Sequence, residues 1–125
     1  MSAVLDAGAL VAIDRRDREV GAMLRVLQRD GVPILTSAGV VAQVWRDGTR
    51  QANLARVLHG VNITALDDAA AKKVGELLKA NRTADVVDAH VALLVHPQDR
   101  IFTSDDADIL ALLRIRKMKA TVIPV

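Results

Sequence analysis

The chain has 125 residues, 51% of them hydrophobic and 26% charged, with 17 Lys and Arg against 15 Asp and Glu. That is the length of one domain with apolar side chains enough for a core, and it excludes a disordered chain. Trp45 and Phe102 are the only aromatics, which argues against a platform that stacks nucleic-acid bases, and the lack of cysteine removes disulfides, thiolate metal sites and cysteine nucleophiles together.

No basic segment leads into an apolar stretch at the N-terminus, and no apolar run approaches the roughly 18 residues of a membrane span. The expectation is a soluble, cytoplasmic protein with no membrane partner. Its small basic surplus is mostly arginine, which permits a nucleic-acid partner without requiring one.

Along the chain, AVLD at 3–6 reads as a brief strand followed by the apolar GALVAI. Val20, Met23, Leu24 and Leu27 then fall at i, i+3, i+4 and i+7, one face of an amphipathic helix that Gly31 can end. Pro33 precedes a second strand at 34–36. Ser37 can cap a helix over SAGVVAQVW, and Gly48 breaks that pattern ahead of a short segment with Leu54, Val57 and Leu58. A third strand covers 61–66. Asp67 or Asp68 can cap the helix after it, whose stripe is Ala70, Val74, Leu77 and Leu78. DVVDAHVALLV forms another helix that stops before Pro97. RIFTS supplies a fourth strand, DADILALLRI a helix and TVIPV a fifth strand. Strands separated by helices predict a three-layer α/β/α sandwich with a parallel sheet of four or five strands, one domain over residues 1–125. Strand order is not legible in the pattern.

In an open parallel sheet all strand-to-helix junctions share one edge, where ligands bind. Asp6 stands at the first junction and Asp105 at the fourth, while Asp85 and Asp88 open the helix of TADVVDAH. Carboxylates crowded together raise one another's pKa, and a divalent cation reverses that penalty. Mg²⁺ takes oxygen ligands of this kind, and the chemistry it serves is phosphodiester hydrolysis by an activated water. Any one of these aspartates equally suits a helix N-terminus, where acidic groups offset exposed N–H groups. Only the set carries information.

VLDAGAL, DVVDAHVA and IFTSDDADIL resemble, in order and spacing, the motifs of PIN-domain nucleases, and most of all the VapC toxins of type II toxin–antitoxin (VapBC) systems. The resemblance covers essentially the whole chain. It implies a PIN-like fold, an endoribonuclease dependent on Mg²⁺ or Mn²⁺, a homodimer and a cognate VapB-type antitoxin. Asp6, Asp88 and Asp105 match the family's metal-binding acids. Thr103 matches its hydroxyl residue, which would orient an acid or a bound water. Asp85 and Asp108 become auxiliary ligands, and Asp106 faces solvent. Where the family carries a second acid, a Glu, this chain has Gln43. Gln keeps the length and a carbonyl oxygen but adds no charge, so weaker metal binding is expected. The alternative is a catalytically weak or inactive PIN-like module that binds RNA or protein.

Arg46, three residues after Gln43, is expected on the same helix face, and with Arg50 is a candidate contact to RNA phosphate. A solvated helix end explains them as well. Arg114, Arg116, Lys117 and Lys119 form a denser cluster suited in part to a helix C-terminus. His59, His90 and His96 read as structural, and Trp45 as core or dimer contact. A receiver-type signalling domain expects a second acid beside Asp6 and a lysine after the fifth strand, and neither is present. A dinucleotide fold lacks its GxGxxG.

Overall fold

The structure is a computed structural model that describes residues 1–125. Its elements in chain order are β1 (Ala3–Leu5), α1 (Ala7–Asp14), α2 (Arg18–Arg29), β2 (Ile34–Ser37), α3 (Ala38–Val44), α4 (Ala52–Leu58) and β3 (Asn62–Thr64). They continue with α5 (Asp68–Asn81), α6 (Val86–Leu94), β4 (Arg100–Thr103), α7 (Asp106–Ile115) and β5 (Thr121–Pro124). All five strands pair in parallel, in the order β3-β2-β1-β4-β5.

That order follows from where each crossover returns. From β1 the chain steps outward to β2 and β3, then crosses back to β4 and on to β5. Right-handed crossovers place α1–α4 on one face and α5–α7 on the other. Contacts agree, since α1 packs on α2, α3 and α4, while α5, α6 and α7 pack on one another. β1 is covered from both sides, and Ala3, Val4 and Leu5 are fully buried, as a central parallel strand requires. The core is aliphatic, with Phe102 its single aromatic member.

Local chemistry explains the boundaries. Asp17 accepts the Val20 N–H at 3.0 Å to start α2, and the helix ends ahead of Gly31, whose φ of +69° suits a residue without Cβ. Val20, Leu24 and Leu27 are buried as the spacing predicts. Ser37 caps α3 through the Gly39 N–H at 3.0 Å, and Asp67 caps α5 through the Ala70 N–H at 2.8 Å. Such caps contribute about 1 kcal/mol each.

Two expectations fail around α3. The helix stops at Val44, because Gln51 takes over the backbone that follows. Its amide oxygen accepts the N–H groups of Arg46 and Asp47 at 2.7 and 3.0 Å, and its Nε2 donates to the Val44 carbonyl at 2.9 Å. Arg46 is therefore off the helix and does not share a helical face with Gln43. Trp45 is 37% exposed and lies over Gly48, so the core half of the expectation for it fails and a contact between protomers is the half that is left. The third strand is also shorter than the six residues expected, at Asn62–Thr64.

Candidate active site

The strand order reverses between β1 and β4, which opens a crevice at the carboxyl ends of those two strands. Asp6 directly follows β1, and Thr103 ends β4. Both are buried. The Thr103 hydroxyl donates to Asp6 Oδ2, while Asp6 Oδ1 accepts the Ala9 N–H at 3.3 Å. Thr103 Oγ1 in turn accepts the Asp105 N–H at 2.9 Å. Thr103 thus ties the first acid to the backbone that presents the last.

The backbone at Asp6 is fixed from two neighbouring strands. Its N–H donates to the Phe102 carbonyl at 3.0 Å, and one residue earlier the Leu5 carbonyl accepts the Thr36 hydroxyl at 2.6 Å. On the other side, α1 passes so close to the β4–α7 junction that a Cβ on Gly8 would lie 2.6 Å from Ser104 Cβ. Glycine at position 8 is what lets the two acidic junctions approach.

α6 brings the remaining carboxylates. Asp85 caps it by accepting the Asp88 N–H at 2.9 Å, and Asp88 sits half-buried in its first turn. Burial lifts the Asp88 carboxyl most, and the charges of Asp85, Asp105, Asp6 and Asp108 add to it, so that its pKa rises from 3.8 to about 7. Asp6 is also raised, by burial first, against the opposing hydrogen bonds from Thr103 and the Ala9, Gly8 and Ser104 backbone. Four carboxylates from the β1–α1, α6 and β4–α7 junctions therefore act on Asp88. No three of the acidic or histidine groups already stand at joint ligand distance from one point.

Capping does not account for all of them. Asp6 and Asp85 make their side-chain caps, but Asp105 stands at the N-cap of α7 with no side-chain capping bond. Its carboxylate is exposed and uncommitted, as are Asp106 and Asp108 in the first turn. The oxygen-only donor set and the accumulated negative charge fit a hard divalent cation.

Gln43 lies exposed in the last turn of α3, a helix that packs against both α1 and α6. Arg46 does not reach out from there. Its Nη1 donates to the Ala42 and Trp45 carbonyls at 3.0 and 2.7 Å, closing the end of α3. Arg50 is exposed, 3.9 Å from Asp47 Oδ2.

A buried tie not legible from spacing joins α3 to α6. His90 Nδ1 lies 2.6 Å from the Ser37 hydroxyl, which already accepts the Gly39 N–H. The Ser37 proton is then free to point at Nδ1, which requires a neutral imidazole. Burial lowers the His90 pKa and so favours that form. His59 is the C-cap of α4, and His96 stands 3.1 Å from the Leu94 carbonyl. Arg116 donates to the Ala92 and Val95 carbonyls at 2.5 and 2.9 Å, so part of the C-terminal basic cluster serves the end of α6.

The fold and this cleft define a class: a doubly wound parallel α/β sheet with an acidic pocket at the reversal of its strand order. No family model and no curated protein matches the chain. Among solved structures it is similar to a chain of VapBC2 from Rickettsia felis, a complex bound to a DNA fragment from their promoter. The TM-score is 0.70 at 16% identity, over 98% of this chain and 99% of that one. This likeness shows that the two chains share one fold over nearly the full length of both.

Proposed function

We propose that the protein is a toxin-type endoribonuclease that hydrolyses RNA phosphodiester bonds and is neutralised by a cognate VapB-type antitoxin. One observation carries the reading. Burial of Asp88, reinforced by the charges of carboxylates from three separate junctions, holds its pKa near neutrality, an arrangement that costs stability unless a counterion relieves it. Mg²⁺ or Mn²⁺ would be held by Asp6, Asp88 and Asp105, with Asp85 and Asp108 auxiliary. Bound there, the ion supplies an activated water and stabilises charge developing on the phosphate. The chain's own part is to hold the acids in place: Thr103 orients the Asp6 carboxylate, and the Ser37–His90 tie fixes α6 relative to α3. A homodimer in the cytoplasm belongs to the same reading, and no helix is long and apolar enough to cross a membrane.

The test is cleavage of structured RNA with added Mg²⁺ or Mn²⁺. Asp6→Asn should lose at least 100-fold in rate, on the order of a lost catalytic electrostatic contact. Equal activity in the two proteins removes the catalytic assignment.

Gln43 favours a second reading, a weakly active or inactive module that binds RNA or protein, because a neutral side chain stands at the end of α3 where a fourth acid would add charge. Gln43→Glu separates the two. Nuclease activity appearing only in that variant supports the binding module, whereas activity already present in the unaltered chain rejects it.

A further inference from the structure

The sheet is not covered equally on its two faces. α7 packs on β5 from one side, while on the other α2 stands off and leaves a cleft of about 370 Å³ over β4 and β5. Parallel sheets are ordinarily covered on both faces, so this strip is an exception. Phe102 and Ile123, in register across β4 and β5, form the floor, and Met23, Val26 and Leu27 of α2 form the wall. Val26 stays 43% exposed at the rim. Apart from Arg100 and Glu19, every side chain in the lining is hydrophobic.

The two charged groups stand at opposite ends. Arg100 lies two residues before Phe102 on β4 and so shares its face. Half-buried, it enters none of the chain's ion pairs and none of its side-chain hydrogen bonds. Pro33, which follows α2, accepts the Ala3 N–H at 2.9 Å, and Ala3 is in register with Arg100, so α2 ends at the Arg100 end of the cleft. Glu19, eight residues before Leu27, is about 12 Å back along the helix axis.

We infer that this cleft binds a medium-chain fatty acid, with its carboxylate on Arg100 and its alkyl chain laid along α2 over Phe102 and Ile123. A mostly apolar cleft of a few hundred cubic ångströms with one or two polar groups is the ordinary form of a small-ligand site. A protein partner fits less well, because stable interfaces engage roughly 20–30 residues a side and eight line this cleft. The one free cation selects an acidic head, since a guanidinium takes a carboxylate through two parallel hydrogen bonds. Glu19 at the far end selects against a second carboxylate there. The site lies on the face of β4, away from the acidic crevice at its carboxyl end, and its occupancy does not depend on the ribonuclease reading.

The experiment titrates decanoate, below its micelle concentration, into the full chain by isothermal calorimetry, with the Met23 methyl signal followed by NMR. One saturable site is expected, with octanoate about 15-fold weaker, two methylenes at about fourfold each. Arg100→Gln should weaken decanoate at least tenfold and leave decanol unchanged, while Arg100→Lys keeps most of the affinity. Val26→Asp, at the exposed rim, should abolish binding, and Ile115→Asp, at a comparably exposed position on α7, should change nothing. Several results overturn the site: no saturable binding, a Met23 signal that does not move, or equal losses in the Val26 and Ile115 variants. Decylamine, the dicarboxylate sebacate or a leucine-rich peptide binding as tightly as decanoate also overturns it, as does an Arg100→Gln effect equal for decanoate and decanol.

Discussion

Asp88 shows how a single side chain records its surroundings. Its folded pKa of about 7 lies above the 3.8 of a free aspartate, so between those values the folded state keeps a proton that the unfolded chain has released. Stability of the metal-free protein therefore falls as pH rises through that window. Full conversion of the shift would overstate the effect, since the group is only half-buried; screening leaves on the order of 1 kcal/mol. Asp88→Asn should flatten the slope and raise the melting temperature at pH 8, by roughly 4 °C. Thermal melts at several pH values check this, and a slope that survives the substitution would place the strain on another group. Asp105 offers the complementary lesson. It occupies a cap position yet makes no side-chain cap, so its backbone is held by Thr103 while its carboxylate stays uncommitted.

At the scale of elements, the site depends on how closely α1 meets the β4–α7 junction. Gly8→Ala would set a methyl 2.6 Å from Ser104 Cβ and 3.1 Å from the Ser104 backbone nitrogen. Something has to shift, at a cost of about 1–3 kcal/mol for such overpacking. The shift also pulls Asp6 away from Thr103, so RNA cleavage should fall by more than stability alone explains. Ser104→Gly added to Gly8→Ala should restore part of both, and denaturant melts alongside cleavage assays decide it. The composition of FTSDDAD and VLDAGAL showed that each junction was acidic; it did not show that a glycine had to sit between them. Nor did the apolar pattern of SAGVVAQVW show that the helix ends early, since the cause is Gln51, seven residues beyond Val44, bonding back to it.

For the molecule as a whole, the strand order is the decisive feature. Because β1 and β4 are neighbours, two acids 99 positions apart in numbering face one crevice, and α6 brings Asp88 to the same edge. A cation bound there only in the folded state stabilises by about 2.7 kcal/mol at 100 times its dissociation constant. Melting temperature should rise with Mn²⁺ or Mg²⁺ in the unaltered protein and not in Asp6→Asn. An equal rise in both would locate the ion elsewhere.

The sequence by itself determined the fold class, a parallel sheet of four or five strands and most helix starts, because periodicity and capping residues act over a few positions. It also marked Asp6, Asp85, Asp88 and Asp105 as junction residues, for the same local reason. Tertiary structure alone decided which junctions meet, that Thr103 joins Asp6 to the Asp105 backbone, that His90 anchors α3 to α6, and that Arg46 folds back over the end of α3. Those outcomes depend on strand order and on contacts between residues far apart in the chain, which no local pattern of side chains encodes.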